Sequence, residues 1–370
     1  MGAGGTVIAV GSASGGTTGQ QPVFVTASRT GSVRPVSLAA ISGGVVPELA
    51  VNGLATANGE QIAVGSADGY PAVWQQAAGS ASWRLVTSLP VVSAYPGLSA
   101  LTSVTHEPSG WLAVGPGPVV LTSADGSTWQ RAGGSIRADL AGASAVMTAA
   151  NQSGYVIVGN SAGPFLWWSS NLASWTRGTD MNDTGGPSRI SAVTSGAHMF
   201  MAVGSQKGLP AVWTTTDGQT WTTIDLGLPR GASAAVLQQV AISADRVVAL
   251  GQETKAGQPV PFGEYSADGG ASWQEVPFGT AGPGTAVTAL TAGSGGFTAA
   301  SQSGRPGQQD AQIWTSVTGS AWTPAPLSGL TGGGVHEVTA LVSSGSAVTG
   351  LGSTATQQVQ QPVTVTLSAS

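Results

Sequence analysis

The phrases Ser123-Ala124-Asp125-Gly126-Ser127-Thr128-Trp129, Thr215-Thr216-Asp217-Gly218-Gln219-Thr220-Trp221 and Ser266-Ala267-Asp268-Gly269-Gly270-Ala271-Ser272-Trp273 decide the fold. In each, an Asp able to accept local backbone N–H bonds precedes a Gly that tolerates positive φ, and this pairing closes a tight hairpin. The Trp that follows opens the next strand. Looser versions end at Trp83, Trp175 and Trp322, and the six Trp residues are spaced 46, 46, 46, 52 and 49 apart. That period belongs to repeats of four short strands rather than to helical arrays.

Upstream of each hairpin stand three apolar runs, for example Ile190-Ser191-Ala192-Val193-Thr194, Met199-Phe200-Met201-Ala202-Val203-Gly204 and Ala211-Val212-Trp213-Thr214-Thr215. Alternating β-branched and small residues bounded by Gly and Ser predict strands A, B and C, with strand D starting at the Trp. A lone four-stranded sheet leaves both faces uncovered, so the repeats are expected to stack radially as an all-β propeller of four-stranded antiparallel blades. The B–C pair recurs eight times, from Val7–Ser28 to Ala347–Ser368, with no evident strand A in the first copy and no strand D in the last. Eight blades are expected, seven being the alternative, within one domain spanning residues 1–370.

The phrase Ser-x-Asp-(x)-Gly-x-Thr/Ser-Trp resembles the Asp-box, or BNR, repeat of the sialidase-like propeller superfamily. The resemblance implies structural roles for Asp125, Asp217, Asp268, Trp129, Trp221 and Trp273. A sialidase of that family also uses three arginines, a Tyr–Glu pair, an acid/base Asp and an Arg-Ile-Pro phrase. Here Ser188-Arg189-Ile190-Ser191 lacks the proline. Glu264 and Tyr265 are neighbours on one strand and point to opposite faces. The resemblance therefore implies the scaffold without the sialidase catalytic residues, and no catalytic residue is assigned.

Composition narrows the function classes. Charged residues are 8% of the chain against about 25% in an average globular protein. With 41% apolar residues, 12 Trp and a net charge of -5, the chain is built to fold rather than to remain disordered. Its 12 Lys and Arg lie singly and the pI is near 5.1, which leaves no basic stripe for nucleic acid. No run approaches the roughly 18 apolar residues of a membrane span. The opening Met1-Gly2-Ala3-Gly4-Gly5 lacks signal-peptide order and reads as the edge of an excised domain. Cysteine is absent, so disulfides and Cys-ligated zinc are excluded.

With strand A innermost, the D–A and B–C loops share one face, which collects most of the charge: Arg137, Asp139, Asp180, Asp183, Arg189, Arg230, His336 and Glu337, with Asp68, Lys207, Glu253, Lys255, Arg305 and Asp310. These form the candidate ligand-binding face. Asp180 and the loop Met181–Gly186 lack the alternating run and terminal Glu of a calcium hand, and three histidines, His106, His198 and His336, make a zinc site unexpected. No metal or cofactor is assigned. The strand-C residues Trp74, Trp167, Trp168, Trp213 and Trp314 repeat with the period and are expected in the core. The expected function is a non-catalytic, extracellular or cell-envelope binding or scaffold module, monomeric, taking a protein or carbohydrate partner. The alternative is a glycoside hydrolase or lyase using Asp139, Asp180 or Asp183, since two facing carboxylates are what glycoside hydrolysis requires.

Overall fold

The computed structural model describes residues 7–14, 20–27, 33–35, 49–80, 82–86, 100–117, 119–132, 136, 142–179, 187–278, 284–326, 330–344, 347–355 and 360–367. The described chain is a succession of antiparallel meanders. The first has three strands, Val7–Ser14 (β1), Gln20–Ala27 (β2) and Val33–Pro35 (β3). The second runs Leu49–Ala57 (β4), Glu60–Ala67 (β5), Tyr70–Gln76 (β6) and Arg84–Leu85 (β7). The third runs Ser103–Glu107 (β8), Gly110–Gly115 (β9), Val119–Ser123 (β10) and Gln130–Arg131 (β11). Ala145–Asn151 (β12), Gly154–Asn160 (β13), Pro164–Ser169 (β14) and Thr176–Arg177 (β15) form the fourth. Ser188–Ser195 (β16), Phe200–Gln206 (β17), Leu209–Thr215 (β18) and Thr222–Asp225 (β19) form the fifth.

The sixth meander is Ala234–Ser243 (β20), Arg246–Lys255 (β21), Gln258–Ser266 (β22) and Gln274–Val276 (β23). The seventh is Ala286–Gly293 (β24), Gly296–Arg305 (β25), Gln308–Ser316 (β26) and Thr323–Ala325 (β27). The last has three strands, Val335–Ser344 (β28), Ala347–Ala355 (β29) and Gln360–Leu367 (β30), joined to the seventh by one parallel pairing of Gln309 with Val335. The first strands β4, β8, β12, β16, β20, β24 and β28 lie against one another in order, and β1 lies against both β4 and β30. This is a β-propeller with strand A innermost.

Asn-Gly, Asp-Gly, Lys-Gly and Ala-Gly pairs at 58–59, 68–69, 207–208 and 256–257 have both residues at positive φ, the geometry of two-residue hairpins whose twist matches the strands. The core is distributed between the sheets. Seven apolar clusters each join consecutive meanders, from Phe24 with Trp74 and Trp83 between the first two to Ala300, Ile313 and Val338 between the last two. Trp74, Trp167, Trp213 and Trp314 are buried there as expected, and each such side chain contributes about 2–3 kcal/mol of transfer free energy.

Polar side chains lock neighbouring meanders across the same seams. Asn160 Nδ2 donates to Ile190 O at 2.7 Å while Ile190 N donates to Asn160 Oδ1 at 2.8 Å. Gln302 Nε2 donates to His336 O at 3.1 Å, in the corresponding place three meanders on. Closer to the axis, the hydroxyls of Thr102, Ser195 and Thr288 donate to Val146, Ala150 and Val338 carbonyls at 2.6–2.7 Å. Such bonds pair backbone oxygens that stacking would otherwise bury unsatisfied.

The Asp-Gly hairpins have the geometry the sequence predicts. Asp217 Oδ1 accepts the backbone N–H groups of Gln219 and Thr220, both at 2.8 Å, and Trp221 Nε1 donates to Gly218 O at 3.2 Å. Asp125 and Asp268 are held likewise, and Trp129 and Trp273 close onto the Gly126 and Gly270 carbonyls at 2.8 and 2.9 Å. The glycine has a second duty that turn chemistry does not announce. A Cβ at Gly126 would stand 2.8 Å from Glu60 Oε1 and 2.9 Å from Ile62 Cδ1, and one at Gly270 would stand 2.7 Å from Met201 Cε. At Gly218 it would overlap the indole of Trp168. The hairpin glycine is thus a seat for a side chain of the preceding meander.

Candidate functional site

Of the residues expected on the D–A and B–C face, Arg137, Asp139, Asp180 and Asp183 lie outside the described residues. Arg189 is exposed on β16, and Arg230 is exposed in the turn before β20, where its backbone N–H donates to Glu275 Oε2 at 3.3 Å. His336 and Glu337 open β28: Glu337 accepts from Ser353 Oγ at 3.1 Å, and His336 is 9% exposed with neither ring nitrogen partnered. No hydrogen bond or ion pair among the described residues joins any of these four to another. Nearby charges are likewise occupied one by one. Glu253 is buried and pairs with Lys255 at 2.7 Å, and Asp310 Oδ1 accepts Gly332 N at 2.9 Å.

His106-Glu107 and His336-Glu337 both belong to innermost strands, yet they sit at opposite ends. The first pair ends β8 and the second opens β28, so the two pairs lie on opposite faces of the propeller.

The described residues form a shaped recess on the face of the A–B turns. An open cavity of about 380 Å³ is lined by Glu107, Asn151, Gln152, Ser195 and His198, with Ala150, Gly196 and Ala197. These residues come from the ends of β8, β12 and β16, three consecutive innermost strands, and from the turns after β12 and β16. The turns are tied together by side chains. Asn151 Nδ2 donates to Gly196 O at 3.1 Å and Met199 O at 3.2 Å, while its Oδ1 accepts Ser153 N at 2.9 Å. Tyr155 OH lies 2.8 Å from Glu107 O and 2.9 Å from Gly110 O, and burial pushes its phenol up to about 12. The lining is therefore pre-organised rather than loose.

Burial also raises the Glu107 carboxyl above its ordinary value. Burial lowers neighbouring His106 despite the opposing pull of Glu60, and its ring packs edge-on against Trp111, whose indole donates to Glu60 Oε2 at 3.2 Å. Chemically, the recess offers amide, hydroxyl and imidazole groups around one carboxylate. Sequence reading counted His198 only in setting zinc aside and drew no site from Glu107, Asn151, Gln152 and Ser195. The signal available was small, polar residues at the ends of successive strands A.

Among the described residues no three of His, Asp and Glu gather as a metal site would require, and no helix is long and apolar enough to cross a membrane. The hairpin aspartates are committed to structure. The backbone N–H of Thr128 is the main force holding Asp125 well below the usual carboxylate range, and the Ser272 hydroxyl and N–H bring Asp268 down to about 2.

No family model and no curated protein matches the chain. Solved structures do. The chain is similar to YCF48 from Cyanidioschyzon merolae, at 16% identity and a TM-score of 0.53, over 81% of this chain and 92% of that one. A structure described as YCF48 bound to D1 peptide aligns with a TM-score of 0.54 at 12% identity, over 86% and 93%. A GH74 xyloglucanase from Xanthomonas campestris aligns at 0.53 and 16% identity, over 81% of this chain and 50% of that one. At these identities the likeness is one of fold: the chain is a β-propeller.

Proposed function

We propose that this chain is a non-catalytic binding propeller that takes up a protein or carbohydrate partner at the mouth formed by the A–B turns. The observation that carries the reading is the composition of that recess: among the described residues it presents a single carboxylate, Glu107, with amide, hydroxyl and imidazole groups around it. Glycoside hydrolysis needs two carboxyl groups facing one cavity about 5–9.5 Å apart. A rigid, polar, largely uncharged mouth suits recognition of a ligand with many donors and acceptors, and a propeller presents such turns from a fixed frame.

The same proposal takes residues 1–370 as one domain of eight blades, six of four strands and a three-stranded one at each end, its hairpins being Asp-boxes of the BNR type. It places the protein outside the cytoplasm or in the cell envelope and takes it as a monomer. The charged D–A and B–C face is assigned no chemistry.

The reading is tested by screening the protein against glycan and peptide arrays while assaying a polysaccharide panel for released reducing ends. Expected are binding that the Gln152→Ala/His198→Ala double variant weakens, and no release above buffer. Release that disappears in Asp139→Asn, Asp180→Asn or Asp183→Asn would overturn it.

A further inference from the structure

Strand β1 carries Ile8-Ala9-Val10-Gly11-Ser12-Ala13, and β5 carries the same six residues from Ile62 to Ala67. Each pairs antiparallel with the strand that follows, Gly11 opposite Val23 and Gly65 opposite Ala72, so both are second strands of the repeat. The inner edge of β5 is filled by β4, from Leu49 opposite Ala67 to Ala57 opposite Glu60, with an irregularity between Val51 and Gly53. The inner edge of β1 pairs with no strand among the described residues.

The glycine of this phrase explains what that edge is shaped for. A Cβ on Gly65 would overlap the carbonyl oxygen of Ala50 in the inner strand. The same clash would arise at Gly204 with Arg189 O, at Gly251 with Val236 O and at Gly352 with Glu337 O. Glycine at this place in strand B is thus a socket for an inner-strand carbonyl, and its pairing with strand C makes no such demand. Gly11 has the same place in the phrase and the same outer register, and no described strand of the chain fills it.

We propose that the inner edge of β1 is a β-augmentation site that accepts an extended, uncharged strand of a partner polypeptide, with small and apolar residues alternating as in β4. An unpaired strand edge is a row of donors and acceptors ready for such a strand, and main-chain bonds supply affinity while side-chain seats supply specificity. A second copy of this chain is a poor donor, because its strands β4, β8, β12, β16, β20, β24 and β28 are each paired within their own sheets. Residues 1–6, Met-Gly-Ala-Gly-Gly-Thr, lack the apolar alternation of strand A. The site is separate from the A–B mouth and does not depend on it.

The test uses the intact 370-residue chain and a fluorescent peptide with the sequence of Leu49–Ala57, read by anisotropy. Saturable micromolar binding is expected, unchanged by Gln152→Ala/His198→Ala and weakened at least about tenfold by Gly11→Val with an unaltered circular dichroism melt. The peptide methylated on alternate backbone nitrogens is expected not to bind, and this arm decides if Gly11→Val fails to fold. Absence of saturable binding to the unmodified chain, equal binding by folded Gly11→Val, or equal binding of the methylated peptide would each overturn the proposal. None of these results bears on ligand capture at the A–B mouth.

Discussion

The hairpins 169–175 and 215–221 occupy the same place in consecutive meanders and solve the same packing problem in opposite ways. In the second, Gly218 at φ +73 leaves room for the indole of Trp168 from the preceding meander. In the first, the corresponding residue is Leu172, held at φ +64, and its side chain is buried in the cluster with Leu112 and Tyr155. The counterpart of Trp168 one meander earlier is Thr122. At these two seams a large strand-C side chain stands with a glycine, and a small one with a leucine that accepts the cost of left-handed backbone, about 1–2 kcal/mol, to fill the gap; at Gly270, near the small strand-C residue Thr214, Met201 of strand B fills the place instead. What the repeat preserves is the filled volume of each seam rather than the hairpin sequence.

The sharpest way to break this comparison is Gly218→Leu, which pushes a side chain into Trp168 at an unfavourable φ. A loss of at least roughly 3 kcal/mol is expected in urea unfolding, or failure to fold. Adding Trp168→Thr recreates the Thr122–Leu172 arrangement and is expected to recover part of that loss. A double-mutant cycle with zero coupling would refute the volume argument.

Next in size is Glu264, which lies on β22 directly opposite Glu275 on β23, beside the hairpin of Asp268. Burial, reinforced by Glu275, pushes its carboxyl up to about 7. The native state thus holds a proton that the unfolded chain releases at its ordinary value near 4.5. Stability from this group is complete below that value, falls as pH rises towards 7, and then stays low. Glu264→Gln is expected to stabilise by roughly 2 kcal/mol at pH 8 and by little at pH 4. A constant difference between the two pH values would show that folding leaves the Glu264 carboxyl at its ordinary value.

That background must be removed before the hairpins are compared by acid titration. Asp217 accepts its two backbone N–H groups at 2.8 Å, whereas Asn171 accepts the N–H groups of Ala173 and Ser174 at 3.0 and 3.1 Å. The shorter bonds are those of a charged acceptor. Burial opposes it, yet the N–H groups of Thr220 and Gln219 and the Thr215 hydroxyl leave Asp217 below its ordinary value. Its contribution is present above the usual carboxylate range and is lost as pH falls through the native value. In a Glu264→Gln background, Asp217→Asn is expected to cost about 1 kcal/mol at pH 7 and progressively less towards pH 3. Asn171→Asp is expected to add an acid-labile contribution where none exists.

The strand periodicity, the Asp-Gly turns and the buried tryptophans were legible in the sequence because each is a local pattern with a local cause. The second roles of Gly218 and Gly65 were not, since what excludes a Cβ there is an atom of another meander or strand, Trp168 in one case and Ala50 O in the other. The recess was missed for a related reason. Charge drew attention to Arg189, Arg230 and the β28 neighbours His336 and Glu337, which no hydrogen bond or ion pair among the described residues joins to one another, while nothing in the local pattern set Asn151 and Ser195 apart. Only the radial stacking brings the ends of β8, β12 and β16 to one mouth.

The smallest expected effect separates intact from degenerate hairpins at a single atom. Trp129, Trp221 and Trp273 donate their indole N–H to the carbonyl three residues back, whereas the indole nitrogens of Trp83, Trp175 and Trp322 are buried without a partner. A buried donor with no acceptor costs free energy, so replacing it by a ring that lacks the N–H removes a penalty along with some packing. Trp221→Phe loses a bond and leaves Gly218 O unpaired, at an expected cost of about 1 kcal/mol beyond the lost area. Trp175→Phe loses area alone and is expected to fall at least roughly 0.5 kcal/mol short of that cost. Equal losses in matched unfolding curves would mean that the indole bond adds nothing, and that the tryptophans recur for their volume alone.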